Sequence, residues 1–220
     1  MSTSRVVIAI DGPAASGKSS VARALAHRVG YLYVNTGAMY RAVTWLAIAR
    51  GTPVDDAGGV TALLNASDFR CGRAAGESTL SIDGVDPTPY LADEPVNRGV
   101  STIASIAEVR RILVAWQREY AIEHDVVMEG RDIGSAVFPE TPYKFYIDAS
   151  PEVRAQRRAK QGLQDAIAAR DKQDSSRRTS PLIIAEDAHV VDSSHLTIDG
   201  VVGEIIGRLK LKSLALPEGI

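Results

Sequence analysis

Gly12-Pro13-Ala14-Ala15-Ser16-Gly17-Lys18-Ser19 satisfies G-x-x-x-x-G-K-[ST] at every defined position. Glycines let such a loop wrap closely around phosphates, and successive backbone N–H groups at a helix start supply positive potential. Lys18 would reach the β- and γ-phosphates of ATP, and the Ser19 hydroxyl would ligate Mg²⁺. By itself the loop leaves kinases, GTPases and ATP-driven motors open. No Asn-Lys-x-Asp run, the guanine-reading element, occurs in the chain, and 220 residues leave little room for motor or transport modules. A small kinase needs a second, phosphorylatable substrate, and three arginine-bearing clusters could hold one. They are Thr36-Gly37-Ala38-Met39-Tyr40-Arg41, Glu129-Gly130-Arg131-Asp132 and Arg170-Asp171-Lys172-Gln173-Asp174-Ser175-Ser176-Arg177. With the loop they suit a site that gathers two polyanions, because phosphoryl transfer is catalysed largely by positioning and charge neutralisation.

The elements around these residues read as α/β. Val6–Ile10 is an unbroken apolar run, the pattern of a strand buried on both faces, and it ends at the turn Asp11-Gly12-Pro13. Val21, Ala22, Leu25, Ala26 and Val29 then recur at helical spacing. Tyr31–Val34, Val126–Met128, Lys144–Ile147 and His189–Val191 read as four more strands, with helices near Ala38–Ala49 and Val201–Leu211. Strands alternating with helices predict a parallel sheet covered on both faces. The first two arginine clusters follow strands directly, at the carboxyl ends where such sheets bind ligands. Residues 68–86 break the rhythm. Thr79–Ile82 followed by Asp83-Gly84, a hairpin-turn dipeptide, predicts a small antiparallel insert standing apart from the parallel sheet.

Charge is near balance overall, at -2, which excludes a global attraction to nucleic acid or an anionic membrane. Residues 154–178 are the exception: eight Lys or Arg against three Asp give +5, leaving -7 elsewhere. Polar and weakly periodic, this stretch is expected to be a mobile flap whose arginines repel one another until phosphates arrive. One cysteine, Cys71, excludes an internal disulfide framework, and neither a signal-peptide pattern nor an apolar run of spanning length is present. A soluble cytoplasmic protein is the expectation.

Four groups of residues are more specific than the phosphate loop. They are Ile10-Asp11-Gly12-Pro13, Thr36 to Arg41, Gly130-Arg131-Asp132-Ile133-Gly134 with Val137-Phe138-Pro139, and the Arg170-Asp171, Asp174, Arg177 spacing followed by Pro181-Leu182. Through them the chain resembles the bacterial cytidylate kinases over nearly its whole length. The resemblance implies an α/β fold: a P-loop kinase core with a five-stranded parallel sheet (residues 1–35, 101–153 and 183–220), a monophosphate-binding region with a β insert (36–100) and a lid (154–182). It implies transfer of the γ-phosphoryl of ATP, with Mg²⁺, to CMP or dCMP in pyrimidine metabolism, by a monomer. ATP would contact Gly12, Pro13, Ala14, Ala15, Ser16, Gly17, Lys18, Ser19, Ser20 and Arg157. The acceptor would contact Thr36, Tyr40, Arg41, Ser101, Arg110, Arg131, Asp132, Arg170, Asp174 and Arg177. Arg41 and Arg131 resemble the clamps on the acceptor phosphate, with Arg177 reaching in from the lid. Ser101, Arg110 and Asp132 match residues that hold cytosine, and Arg170 and Asp174 match those near the sugar. Lys18, Arg131 and Arg177 are then the catalytic residues. Chemistry agrees with the base assignment: a carboxylate can accept from cytosine N4 and a guanidinium can donate to N3 and O2, whereas uracil reverses the pattern at O4 and N3. Three features depart from the pattern. Asn35 stands where the family usually has Asp, Glu129 where Asp is commoner, and the lid between Arg158 and Arg170 is shorter than in many relatives. The phosphate loop is shared with adenylate and shikimate kinases and with nucleotide-driven switch proteins, which an acceptor assay separates.

Overall fold

A computed structural model describes residues 5–160, 167–177, 179–217 and 219–220. Strand β1 (Val7–Asp11) runs into the phosphate loop and helix α1 (Lys18–Val29), then β2 (Leu32–Asn35) and α2 (Thr36–Ala49). Next come α3 (Ala57–Ala66), the hairpin β3 (Phe69–Ala74) and β4 (Glu77–Ile82), α4 (Glu94–Ile103) and α5 (Ala107–Glu123). Strand β5 (Val126–Gly130) leads through a π-helical turn at Ile133–Val137 to β6 (Tyr143–Asp148), α6 (Pro151–Lys160), α7 (Ile167–Ser175), β7 (His189–Asp192) and α8 (Ile198–Leu211).

The strands form one sheet in the order β3-β4-β2-β5-β1-β6-β7. The five strands expected from apolar runs, β2-β5-β1-β6-β7, are parallel throughout. Every residue of β1 and β5 is buried, as their continuous apolar character requires of central parallel strands. Alternate β1 side chains serve opposite faces. Ile8 and Ile10 pack with Leu25 and Val29 of α1 and with Val202 and Ile205 of α8. Val7 and Ala9 pack with Tyr120 of α5 and with Ile133 and Val137 of the π turn. A further core joins α2, α3, α4 and α5 through Val43, Leu64, Ile103 and Leu113.

The hairpin differs from expectation in two ways. It extends the main sheet instead of standing apart, because Glu77 at the start of β4 bridges Tyr33 of β2 in parallel and the Tyr33 N–H donates to the Gly76 carbonyl at 2.9 Å. Its turn is Ala75-Gly76, with φ of 50° and 79°. Asp83-Gly84 (φ 52° and 77°) does turn the chain, but only far enough for Val85 to bridge back to Ile82. Both dipeptides hold the left-handed conformation of a two-residue hairpin turn, and the longer pairing formed around the one that carries Ala.

The basic stretch is ordered into helices among the described residues, α6 before residues 161–166 and α7 after them. Residues 161–166 and 178, and the side chain of Arg170, lie outside the described residues, so the expected reach of Arg170 and the short part of the lid are not placed.

Candidate active site

Strand β1 ends between β5 and β6, both contributed from later in the chain, and the crevice beyond such carboxyl ends is where open α/β sheets gather ligands. The chain leaves β1 through Gly12, whose φ of 153° and close approach to β6 admit no side chain: a Cβ there would lie 2.1 Å from the Ile147 carbonyl oxygen. Gly17 (φ 91°) caps α1, aiming the first amides of that helix at the loop's hollow. Lys18 is 6% exposed, and its ammonium donates to the Pro13 carbonyl at 2.9 Å, which folds the side chain back over the loop. Ser19 donates to Glu129 Oε1 at 2.8 Å, and the Tyr33 hydroxyl approaches the same oxygen at 3.4 Å. Glu129 is buried beside Ser19, so its extra methylene relative to Asp still delivers a carboxylate to the loop. A hydroxyl and a carboxylate side by side form the hard oxygen donor pair that suits Mg²⁺ together with substrate phosphates.

Helices α6 and α7 clasp the loop from outside. Arg157 donates to the Ser16 carbonyl at 3.1 Å and the Ser193 carbonyl at 2.7 Å, so its guanidinium braces the back of the loop. Arg154 pairs with Asp171, which accepts the Ala14 N–H at 3.3 Å. The next residue along α6, Arg158, is 8% exposed and lines the cleft, a position that sequence reasoning did not assign although it lies in the basic stretch.

The cleft, about 290 Å³, runs from Lys18, Ser19 and Ser20 to Tyr40, Ser101, Arg110 and Asp132. Arg110 of α5 pairs with Asp132, the two side chains being 5% and 6% exposed, and it stacks over the Tyr40 ring at 5.6 Å. Burial pushes the Asp132 carboxyl up, against the pull of Arg110 and Arg177. Asp174 of α7 accepts Arg131 Nε at 2.9 Å and Ser101 Oγ at 3.1 Å, and also pairs with Arg177. Asp174 thus stands as a buried carboxylate between Arg131 and Arg177. Burial still pulls the Arg177 pKa down, with Arg110 and Arg131 adding to that pull and Asp174 opposing it.

Arg41 donates to Asn97 and to the Leu91 carbonyl at 3.3 Å, while Asn97 donates to the Ala92 carbonyl at 2.7 Å. Thr36 lines the cleft but commits its hydroxyl to the Glu129 carbonyl at 2.8 Å, tying α2 to β5. Asn35 caps α2 by accepting the Ala38 N–H at 3.0 Å, a role that amide and carboxylate perform alike. Besides Arg158, Asn97 and Asp11 were missed. Asp11 is buried at the end of β1 and accepts two amides of the π turn; burial lifts its pKa to about 7.

The geometry, then, is a phosphate loop facing a buried guanidinium–carboxylate pair across a cleft rich in arginine. A profile of the cytidylate kinase family matches residues 8–211. The chain is 42% identical over 218 residues to a cytidylate kinase of Limosilactobacillus fermentum, covering 93% of this chain and 96% of that one. It is 36% identical over 219 residues to one from Streptomyces avermitilis (96% and 95% covered). With a Streptococcus pneumoniae cytidylate kinase it shares 42% over 212 residues (91% and 95%).

Proposed function

Since the chain belongs to the cytidylate kinase family, we propose that it transfers the γ-phosphoryl group of ATP to CMP or dCMP, giving ADP and CDP or dCDP. The observation that carries the substrate assignment is the Arg110–Asp132 pair, buried in the same cleft as Lys18. Asp132 accepts from the cytosine amino group while Arg110 donates to the ring acceptors, and each holds the other in place beforehand. A uracil base would turn its O4 acceptor toward the carboxylate, leaving a buried polar edge unpaired.

The phosphate loop amides and Lys18 hold the β- and γ-phosphates, and Arg41, Arg131 and Arg177 collect the acceptor phosphate. Ser19 and Glu129 would hold the Mg²⁺ that accompanies ATP, whose charge offsets that of the phosphate oxygens when it is bound. Asp174 keeps Arg131 and Arg177 converged, so an arriving phosphate exchanges one anionic partner for another and meets cations already in position. Residues 154–182 act as a lid, limiting access of water, a competing phosphoryl acceptor. Residues 36–100 act as the acceptor-binding region. No helix among the described residues is long and apolar enough to cross a membrane.

ADP release measured with ATP and a panel of CMP, dCMP, UMP, AMP and shikimate tests the reading. Turnover is expected with CMP and dCMP. Preference for AMP or shikimate, or ATP hydrolysis that no acceptor stimulates, would contradict it.

A further inference from the structure

We propose that Asp11 is a positioning residue that seats the acceptor-reading turn against the ATP loop, so that it governs the hold on CMP more than the hold on ATP; the proposal rests on the CMP kinase reading above. Asp11 is the last residue of β1 and is 6% exposed. The β1–β5 ladder ends at the pair Asp11 and Gly130. The next residues, Arg131 and Asp132, carry the acceptor contacts, and no strand pairing fixes their backbone. The Asp11 side chain takes over where the ladder stops. Its Oδ1 accepts the Ile133 N–H at 2.8 Å and its Oδ2 accepts the Gly134 N–H at 2.7 Å. These are the first amides of the π turn, the ones that lack a carbonyl partner within their own helix.

With one carboxylate oxygen on each amide, the turn has a single seating relative to β1. Gly134 packs onto the same anchor: a Cβ there would stand 3.4 Å from Asp11 Oδ2 and 3.1 Å from the Lys144 stem. One residue after Asp11 the chain becomes the ATP loop, and one residue before Ile133 it is Asp132. The carboxylate thus links the two substrate sites by hydrogen bonds, standing one residue from the phosphate loop and bonded one residue from Asp132. Burial of a carboxylate is costly and is tolerated where strong hydrogen bonds compensate it.

Asp11→Asn keeps the shape but turns an NH₂ toward one of the two amides, donor against donor. The expected result is a rise of about tenfold or more in KM for CMP, the scale of one charge-assisted hydrogen bond. The CMP-over-UMP preference should fall with it, while KM for ATP stays near the wild-type value. Gly134→Ala, which leaves the carboxylate in place and sets a methyl 3.1 Å from the Lys144 stem beside the anchored amides, should shift the same parameters in the same direction and remains decisive if Asp11→Asn does not fold. The proposal is overturned if a folded variant keeps its CMP KM and preference, or loses ATP and CMP affinity equally. Wild-type protein that does not use CMP would instead overturn the functional reading, so the two failures are distinguishable.

Discussion

Lys18 and the arginines opposite it are held by different devices. The Lys18 ammonium rests on the Pro13 carbonyl of its own loop, so its position is set within a few residues of sequence. Arg131, just after β5, and Arg177, just after α7, both pair with Asp174 of α7. Lys18→Ala removes the cation needed where the γ-phosphoryl becomes metaphosphate-like. Turnover should fall by about 10²–10³-fold in a folded protein, comparable to the loss of one preorganised donor. Steady-state kinetics beside a circular-dichroism spectrum checks this, and near-normal turnover would rule out the mechanism. The same contrast explains what could be read in advance. Lys18, Ser19 and the Arg131-Asp132 pair lie in short motifs whose spacing is the signal. Asn97 acts on an arginine 56 residues away, a pairing that leaves no local pattern, and although Asp11 lies in the motif Ile10 to Pro13, that motif does not show its carboxylate reaching amides 122 and 123 residues away.

At the scale of elements, burial pattern decided what was legible. The five parallel strands are apolar runs, and α1 and α8 carry apolar faces, so each announces itself. Helix α3, Ala-Gly-Gly-Val-Thr-Ala-Leu-Leu-Asn-Ala, does not: two glycines lower its intrinsic helicity, and only Val60 and Leu64 are fully buried. It is helical because those two side chains close the core shared by α2, α4 and α5. Helix α4 opens with a proline in its first turn and buries polar Asn97 and Ser101 beside Val96, Val100 and Ile103, so its inward face is mixed and its apolar period is broken. Helix α2 depends on its first residue pair. Asn35 caps it and Thr36 ties it to β5, which places Tyr40 and Arg41 one turn further on. Asn35→Ala should cost about 0.5–2 kcal/mol, the usual worth of such a cap, and Asn35→Ser should largely restore it. Thermal unfolding of both variants measures this; an Ala variant as stable as the wild type would remove the cap from the account.

Across the whole molecule, the loop after β1, the α2–α4 wall and the α6–α7 pair meet at the carboxyl edge of one sheet. The extension of that sheet by the β3–β4 hairpin was not foreseen, because a single bridge at Tyr33 and Glu77 makes the join. Asp171 joins α7 to the phosphate loop and Asp174 joins it to Arg131. On the proposed function each substrate engages one of these contacts, so protection of residues 154–177 from hydrogen exchange should rise more with an ATP analogue plus CMP than with either alone. Equal protection under all conditions would argue against a lid that responds to both.

The central claim, that a buried guanidinium–carboxylate pair selects cytosine at a phosphate-loop kinase site, is tested most directly by one comparison. It is the ratio of kcat/KM for CMP and UMP in the wild type and in Asp132→Asn. The wild type should prefer CMP. An asparagine can donate as well as accept, so CMP should lose efficiency while UMP loses less or gains. The preference should shift by about 1–3 kcal/mol, the discrimination carried by one good bidentate contact. An equal fall with both nucleotides would mean that Asp132 only supports the cleft, and the claim that it reads the base would be wrong.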